Sequence, residues 1–383
     1  MFKFVRRTTF AAVFLALLVA TAAFAQGPLQ EETLGDPVGG GMMVIYNDLA
    51  VAPDGTPVVA YSDGGSIYVE QWDGSAWVRL GDAAAPADAM FSRLAVGEDG
   101  AVVITYLTTS DDGSTALLNA AQWDGTAWTP LGDAINLYAS GTFNYDESLI
   151  VMADGPVVAW REASEFMQPD QLYVRQWDGS AWQPLGTDAG LNVDPAADAG
   201  VSTLAALPNG RIALAWDEGG MTHVRLWDGS AWTDLPDAPA PMSDTSLLRL
   251  TATAEGDLVL LRAGYDLPEA FKLAADVDGD AWMPMDGLDA LPGLADAGYV
   301  DDAALAVDEN GDPLLAWSNG GSGAAGYARW TGSAWEPVGD AISFTPLPVS
   351  FIASVALTPD GALDVARLNE MFGLQVTQYT PQS

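Results

Sequence analysis

The stretch Trp72-Asp73-Gly74-Ser75-Ala76-Trp77, closed by Leu80-Gly81-Asp82, decides the fold because it returns at a near-constant interval. It recurs as Trp123-Asp124-Gly125-Thr126-Ala127-Trp128, from Trp177 to Trp182 and from Trp227 to Trp232. Degraded copies stand at Val277-Asp278-Gly279-Asp280-Ala281-Trp282 and Trp330-Thr331-Gly332-Ser333-Ala334-Trp335. The closing step is repeated in Leu131-Gly132-Asp133, Leu185-Gly186-Thr187 and Val338-Gly339-Asp340. A second element precedes each copy, an apolar residue six positions ahead of a turn glycine: Leu49/Gly55, Leu94/Gly100, Leu149/Gly155, Leu204/Gly210, Leu250/Gly256, Leu305/Gly311 and Val355/Gly361. Gly55 and Gly361 lie 306 residues apart, six intervals averaging 51. Self-similarity at this period marks a repeat architecture.

Each unit reads as four short strands. Leu49-Ala50-Val51 alternates as a first strand, Asp54-Gly55 turns, and Pro57-Val58-Val59-Ala60-Tyr61 returns as a second. Ile67 to Trp72 and Ser75 to Leu80 form a hairpin, with Asp73-Gly74 suited to a two-residue turn. That turn sets Trp72 and Trp77 as diagonal neighbours on one sheet face, where their rings fill the wedge between adjacent blades. Four strands in about 50 residues is a propeller blade, and no segment has a sustained helical period. The seventh unit stops after Leu374 to Tyr379, which matches a third strand, while Glu31-Glu32-Thr33-Leu34-Gly35-Asp36 carries the Leu-Gly-Asp that elsewhere ends a fourth. The expectation is an all-β, seven-bladed β-propeller of four-stranded antiparallel blades. An N-terminal strand at about 31–36 completes the C-terminal blade and so removes two exposed sheet edges.

The first 25 residues stand apart from the repeats. A basic start (Lys3, Arg6, Arg7), an apolar run from Phe10 to Ala23 and Ala23-Phe24-Ala25 form a signal peptide cleaved after Ala25. The expected organisation is therefore a signal at 1–25 and one propeller domain at 26–383, in a secreted, extracellular or periplasmic protein. No later apolar run is long enough to span a bilayer. The chain has no cysteine, so packing rather than disulfides must stabilise it outside the cell. With 52 acidic residues against 14 basic ones, its formal charge of −38 disfavours nucleic acid and anionic membranes. Cationic proteins, neutral sugars and calcium fit such a surface, and a salty habitat would screen its self-repulsion.

The Trp-Asp-Gly-x-x-Trp units resemble those of secreted bacterial β-propeller repeat proteins and, more distantly, the sialidase-like propellers. The resemblance covers essentially the whole mature chain and implies the fold. It departs from the sialidase Asp box, in which one residue separates aspartate and glycine, whereas Asp73 and Gly74 are adjacent. The sialidase likeness invites an arginine triad, for which Arg161, Arg262 and Arg367 are candidates. An Arg-Ile-Pro signature is absent, the nearest run being Arg211-Ile212-Ala213.

Catalytic signals are thin. His223 is the only histidine, in the strand pattern Met221-Thr222-His223-Val224-Arg225. It has no second imidazole or thiol to complete a metal set, and no Gly-x-Ser-x-Gly elbow accompanies it. Asp276 to Asp280 and Asp308 to Asp312 look like the start of calcium loops but lack the distal glutamate and coincide with hairpin turns. No catalytic residue, metal ligand or cofactor is assigned, and calcium is left open. A repeating register is the better candidate: the ends of the second strands bring Tyr61, Tyr106, Trp160, Trp216, Arg262, Trp317 and Arg367 to equivalent positions, with Asp63, Glu162, Asp217 and Glu218 beside them. Aromatic faces among carboxylates and arginines suit sugar rings; the same register also suits a buried packing layer. The functional expectation is a monomeric, secreted, non-catalytic binding propeller for a carbohydrate or an extracellular protein. The alternatives are a sialidase-like glycan-cleaving enzyme, which needs a deep central pocket of converging arginines and carboxylates, and a calcium-dependent surface protein.

Overall fold

The computed structural model describes residues 28–39, 44, 46–109, 116–138, 147–165, 167–239, 242, 245–264, 267–274, 281–294, 300–319, 322–344, 354–369, 371 and 373–382. The expected signal peptide and the run Asp276 to Asp280 lie outside the described residues.

Six antiparallel sheets of successive strands follow one another along the chain, and a seventh joins the N-terminal strand to the last three. Blade 1 is built from Asn47–Val51, Pro57–Asp63, Ser66–Trp72 and Trp77–Arg79. Blades 2 to 6 repeat this order, their inner strands being Met90–Val96, Ser148–Met152, Ala199–Ala206, Leu247–Ala252 and Asp302–Val307. Blade 6 gains a fifth strand, Ile342–Ser343, on the edge of Ala324–Trp330. Each inner strand packs on the next, and that of blade 7, Ser354–Leu357, packs back on that of blade 1. The chain is thus a seven-bladed β-propeller. Its only helical pieces among the described residues are single 3-10 turns at Pro208–Gly210 and Leu288–Ala290.

Closure occurs where expected but starts two residues earlier. Leu29–Thr33 pairs antiparallel with Leu374–Pro381, Leu29 opposite Pro381 and Thr33 opposite Thr377. Leu34 continues the ladder by donating its N–H to the Val376 carbonyl, and Gly35 then turns the chain with φ +62°. Leu34-Gly35-Asp36 therefore follows the strand, as Leu-Gly-Asp does in other blades, and the strand itself is the preceding Leu29-Gln30-Glu31-Glu32-Thr33.

The Trp-Asp-Gly-x-x-Trp hairpin differs from the two-residue turn. Trp72 lies directly opposite Trp77, so residues 73–76 form a four-residue loop. The cause is the aspartate: Asp73 Oδ1 accepts hydrogen bonds from the N–H groups of Ser75 and Ala76 and from the Ser75 hydroxyl, at 2.8 Å each. A side chain that satisfies its own loop amides competes with the tighter turn. The same bonds recur at Asp124, Asp178 and Asp228. Directly opposed rings still pack together, 5.5 Å apart in blade 1.

The repeated tryptophans and the Leu-Gly-Asp step form one device between blades. Trp77, Trp128, Trp182 and Trp232 donate their indole N–H to the carbonyls of Leu34, Leu80, Leu131 and Leu185, each the leucine closing the blade before. The following glycine carries the other ring: a Cβ on Gly81 would sit 2.7 Å from the Trp123 ring, and one on Gly132 at 2.7 Å from Trp177. Leu34 and Gly35 serve blade 1 in this way, so the N-terminal strand supplies both edge pairing and the interblade contact.

Candidate functional site

Antiparallel alternation divides the ring into two faces. The hairpin turns between first and second and between third and fourth strands share a turn face, which carries Asp54, Asp73, Asp99, Asp124, Asp154, Asp178 and Asp228. The longer second-to-third and blade-to-blade connections make the opposite, loop face. At that end, where the inner strands begin, a central cavity of about 310 Å³ lies on the propeller axis. Its wall comes largely from the residues just before each repeat leucine: Asp48, Arg93, Ser148, Thr203 and Arg249, with Ser354 before Val355. Asp302 and Glu147 join them, and among the described residues no aromatic side chain lines the cavity.

These polar groups hold the blades together around the axis. Asp48 Oδ2 accepts the Leu94 N–H of blade 2 at 3.0 Å, and the Ser148 hydroxyl accepts the Leu204 N–H of blade 4 at 2.9 Å. Arg249 donates to the Ala303 carbonyl and to Asp302 Oδ1, both at 2.6 Å, while Asp302 Oδ2 accepts the Val355 N–H of blade 7. The Thr105 hydroxyl bonds Glu147, and the Ser354 hydroxyl donates to Asn47 of blade 1. Burial pushes the Asp48 carboxyl up to about 6; Arg93 and Arg249 work against that rise and Asp302 adds to it. Among the described residues, no three histidine, aspartate or glutamate groups are arranged to hold a metal ion.

The aromatic register of the second strands lies between blades. Tyr61, Trp160 and Trp216 are 0% exposed, Trp317 is 2% and Tyr106 is 4%, which leaves no ring face open to a ligand. Trp160 donates to Glu162 at 3.1 Å, and Glu162 also accepts the N–H groups of Leu137 and Tyr138, so it ties ring to loop. Trp216, Glu218, Val193 and Asp194 repeat that arrangement in blade 4. The Tyr61 hydroxyl bonds Glu70, which also binds Arg79. Arg262, wholly buried, pairs with Glu269, donates to the Pro239 carbonyl at 2.7 Å and lies 5.0 Å from the Phe271 ring centroid. Half-buried Arg367 stacks on Phe344. Asp63 and Asp217 are half-buried; burial pushes Asp217 up to about 6, against the pull of Arg262 and His223.

The other candidates are also separated. Arg161 donates to the Ala199 carbonyl, and Arg161, Arg262 and Arg367 belong to blades 3, 5 and 7. His223 lies on its strand, 2.7 Å from Asp237 and stacked on Trp216. Asp308 accepts the N–H groups of Asn310 and Asp312 and pairs with Arg329, so that acidic run is a turn. Sequence reasoning missed the axial set; its signal was a polar residue directly before the repeat leucine in blades 1 to 5, and before Val355 in blade 7.

Large apolar side chains are exposed mostly on the loop face. Tyr46, Met90, Met167, Val193, Leu267 and Met371 all stand there, Met167 and Met371 at 85% and 83% exposure. Met167 does so from a left-handed backbone, φ +68°, which costs a side chain roughly 1–2 kcal/mol. Val78 and Met283, the other two, sit on outer strands.

No protein-family model matches the chain, and no curated protein does either. Solved structures do. YCF48 from Cyanidioschyzon merolae is 11% identical with a TM-score of 0.50, over 91% of this chain and 98% of that one. YCF48 bound to D1 peptide is 14% identical with a TM-score of 0.50, over 94% and 99%. An alpha-L-arabinanase of Penicillium chrysogenum complexed with arabinobiose is 11% identical with a TM-score of 0.47, over 93% and 98%. The likeness is one of fold. At such identities a propeller scaffold is shared among proteins whose sites differ, so the reading of this chain rests on its own residues.

Proposed function

We propose that this protein is an exported, non-catalytic interaction propeller that engages an extracellular protein through its loop face. The observation that carries this reading is the placement of exposed apolar side chains, six on the loop face and none on the turn face among the described residues. Apolar anchors set in a polar surround are what a protein partner buries. The buried aromatic register, and a cavity wall that is polar and aliphatic among the described residues, argue against sugar stacking. Binding is favoured over glycan cleavage because Asp48, Asp302 and Arg249 are committed to backbone groups and to one another. The formal charge of −38 favours a cationic partner and opposes self-association.

The test places a photo-crosslinking side chain at Met167, Leu267 or Met371, and at Val78 or Met283 as outer-edge controls. Each variant of the mature chain is exposed to the extracellular proteins of the producing organism. A single basic polypeptide captured from the loop-face positions alone is the expected result. Equal capture from both sets overturns it. A glycan-array signal abolished by Arg93→Gln would instead move function into the axial cavity.

A further inference from the structure

Asp364 stands where every other blade carries an aliphatic side chain. The equivalent second-strand residues are Val58, Val103, Val157, Ala213, Val259 and Leu314, all 0% exposed and each on the side that packs against the following blade. Asp364 is 0% exposed too. Strand alternation places it with Ala366 and Leu368, which belong to the cluster joining blade 7 to blade 1. One of its oxygens accepts a hydrogen bond from Gln378 Nε2 at 3.0 Å; the other, Oδ2, has no partner. Gln378 lies on the C-terminal strand, opposite Glu32 of the N-terminal strand. The buried carboxyl is thus one hydrogen bond away from the ladder that closes the ring.

We propose that Asp364 is a proton-operated latch: while its carboxyl is neutral, blade 7 closes on blade 1, and ionisation loosens that seam, beginning at the ladder between residues 29–33 and 374–381. An isolated carboxylate is tolerated poorly in an apolar contact. Among the described residues, the side chains around it offer no compensating cation. Its strand neighbours are Ala356 and Gln378, and Leu49, Val51 and Val59 of blade 1 belong to the same apolar cluster. Blade 1 presents Tyr61, Glu70 and Arg79 to this seam, and these three bind one another. Asp360, in the adjoining turn, is negative and holds a hydrogen bond from the Thr358 hydroxyl. Burial accordingly pushes the Asp364 carboxyl up to about 7, with Asp360 adding to the rise and the Gln378 bond opposing it. Blade 7 is also the only blade assembled from the two ends of the chain, so its ladder can part without a turn to hold the strands together.

The experiment compares the mature chain with Asp364→Asn and Asp364→Val, melted at pH 5 and pH 8 in high salt to screen surface charge. Asparagine mimics the neutral carboxyl and valine restores the residue of blades 1, 2, 3 and 5. Unfolding temperature should fall between the two pH values by at least about 5 °C more in the wild type than in either variant. Amide exchange, corrected for its intrinsic pH dependence, should show residues 29–33 and 374–381 losing protection ahead of blade 3 in the wild type alone. Parallel melting shifts in all three proteins would overturn the proposal. So would a wild-type-specific shift in which the seam amides open no earlier than those of blade 3.

Discussion

At the residue scale, the recurring glycines do two different jobs. Gly74 and Gly81 both have positive φ, +93° and +70°. Nothing lies within 4 Å of a Cβ placed on Gly74, whereas one on Gly81 meets the Trp123 ring at 2.7 Å. Gly74→Ala should therefore cost only the left-handed backbone, roughly 1–2 kcal/mol. Gly81→Ala should cost that and about 1–3 kcal/mol more, because the indole must leave its place between blades. Urea unfolding of the two variants checks the difference, and equal midpoints would mean that the ring yields freely. The sequence displayed both glycines as repeats; only the packed neighbour separates a turn requirement from a close approach.

At the element scale, the indole bonds link hairpin to preceding blade. Trp128→Phe removes the N–H that reaches the Leu80 carbonyl at 2.7 Å. The expected loss is about 1–3 kcal/mol, part from the unpaired carbonyl and part from the smaller ring; chemical denaturation measures it. The paired tryptophans were legible as packing because they repeat, and the four strands per unit were legible from alternation. Hairpin geometry was not, since Asp73 binds the amides of Ser75 and Ala76 in a loop that a Asp-Gly pair alone does not announce. The second-strand aromatics were visible in the same way, yet alternation could not say whether their faces met solvent or the next blade.

At the scale of the whole molecule, two sets of carboxylates oppose each other in pH. The loop aspartates Asp73, Asp124, Asp178 and Asp228 are held below the usual carboxylate range by the amides of the alanine and the Ser/Thr that follow and by that Ser/Thr hydroxyl. Their contribution is present above the ordinary carboxylate pKa and is lost as pH falls through the depressed values. Asp48 and Asp217 at about 6 and Asp364 at about 7 are raised, chiefly by burial, so the folded state binds more protons than the unfolded chain. Stability from that set declines as pH climbs from about 4 to 7. Thermal melts across pH 2 to 9 should therefore show a maximum in the mildly acidic range, and a maximum above pH 8 would contradict the assignment. Truncation to residue 37 removes Leu29–Thr33, leaving the edge of Leu374–Pro381 unpaired; light scattering should detect association that the intact chain does not show.

Sequence alone determined the repeat, the blade count and the exchange of the N-terminal strand, because periodicity in apolar and turn residues is a local property written out seven times. It also determined the acidic character of the chain, 52 acidic residues against 14 basic ones. Tertiary structure decided which polar residues meet: Asp48, Arg93, Arg249 and Asp302 come from four separate blades and share a cavity only after the ring has closed. The same closure buried Trp160, Trp216 and Arg262 and placed Asp364 in the seam, since burial between blades depends on the neighbour that each face finds and not on the strand that carries the residue.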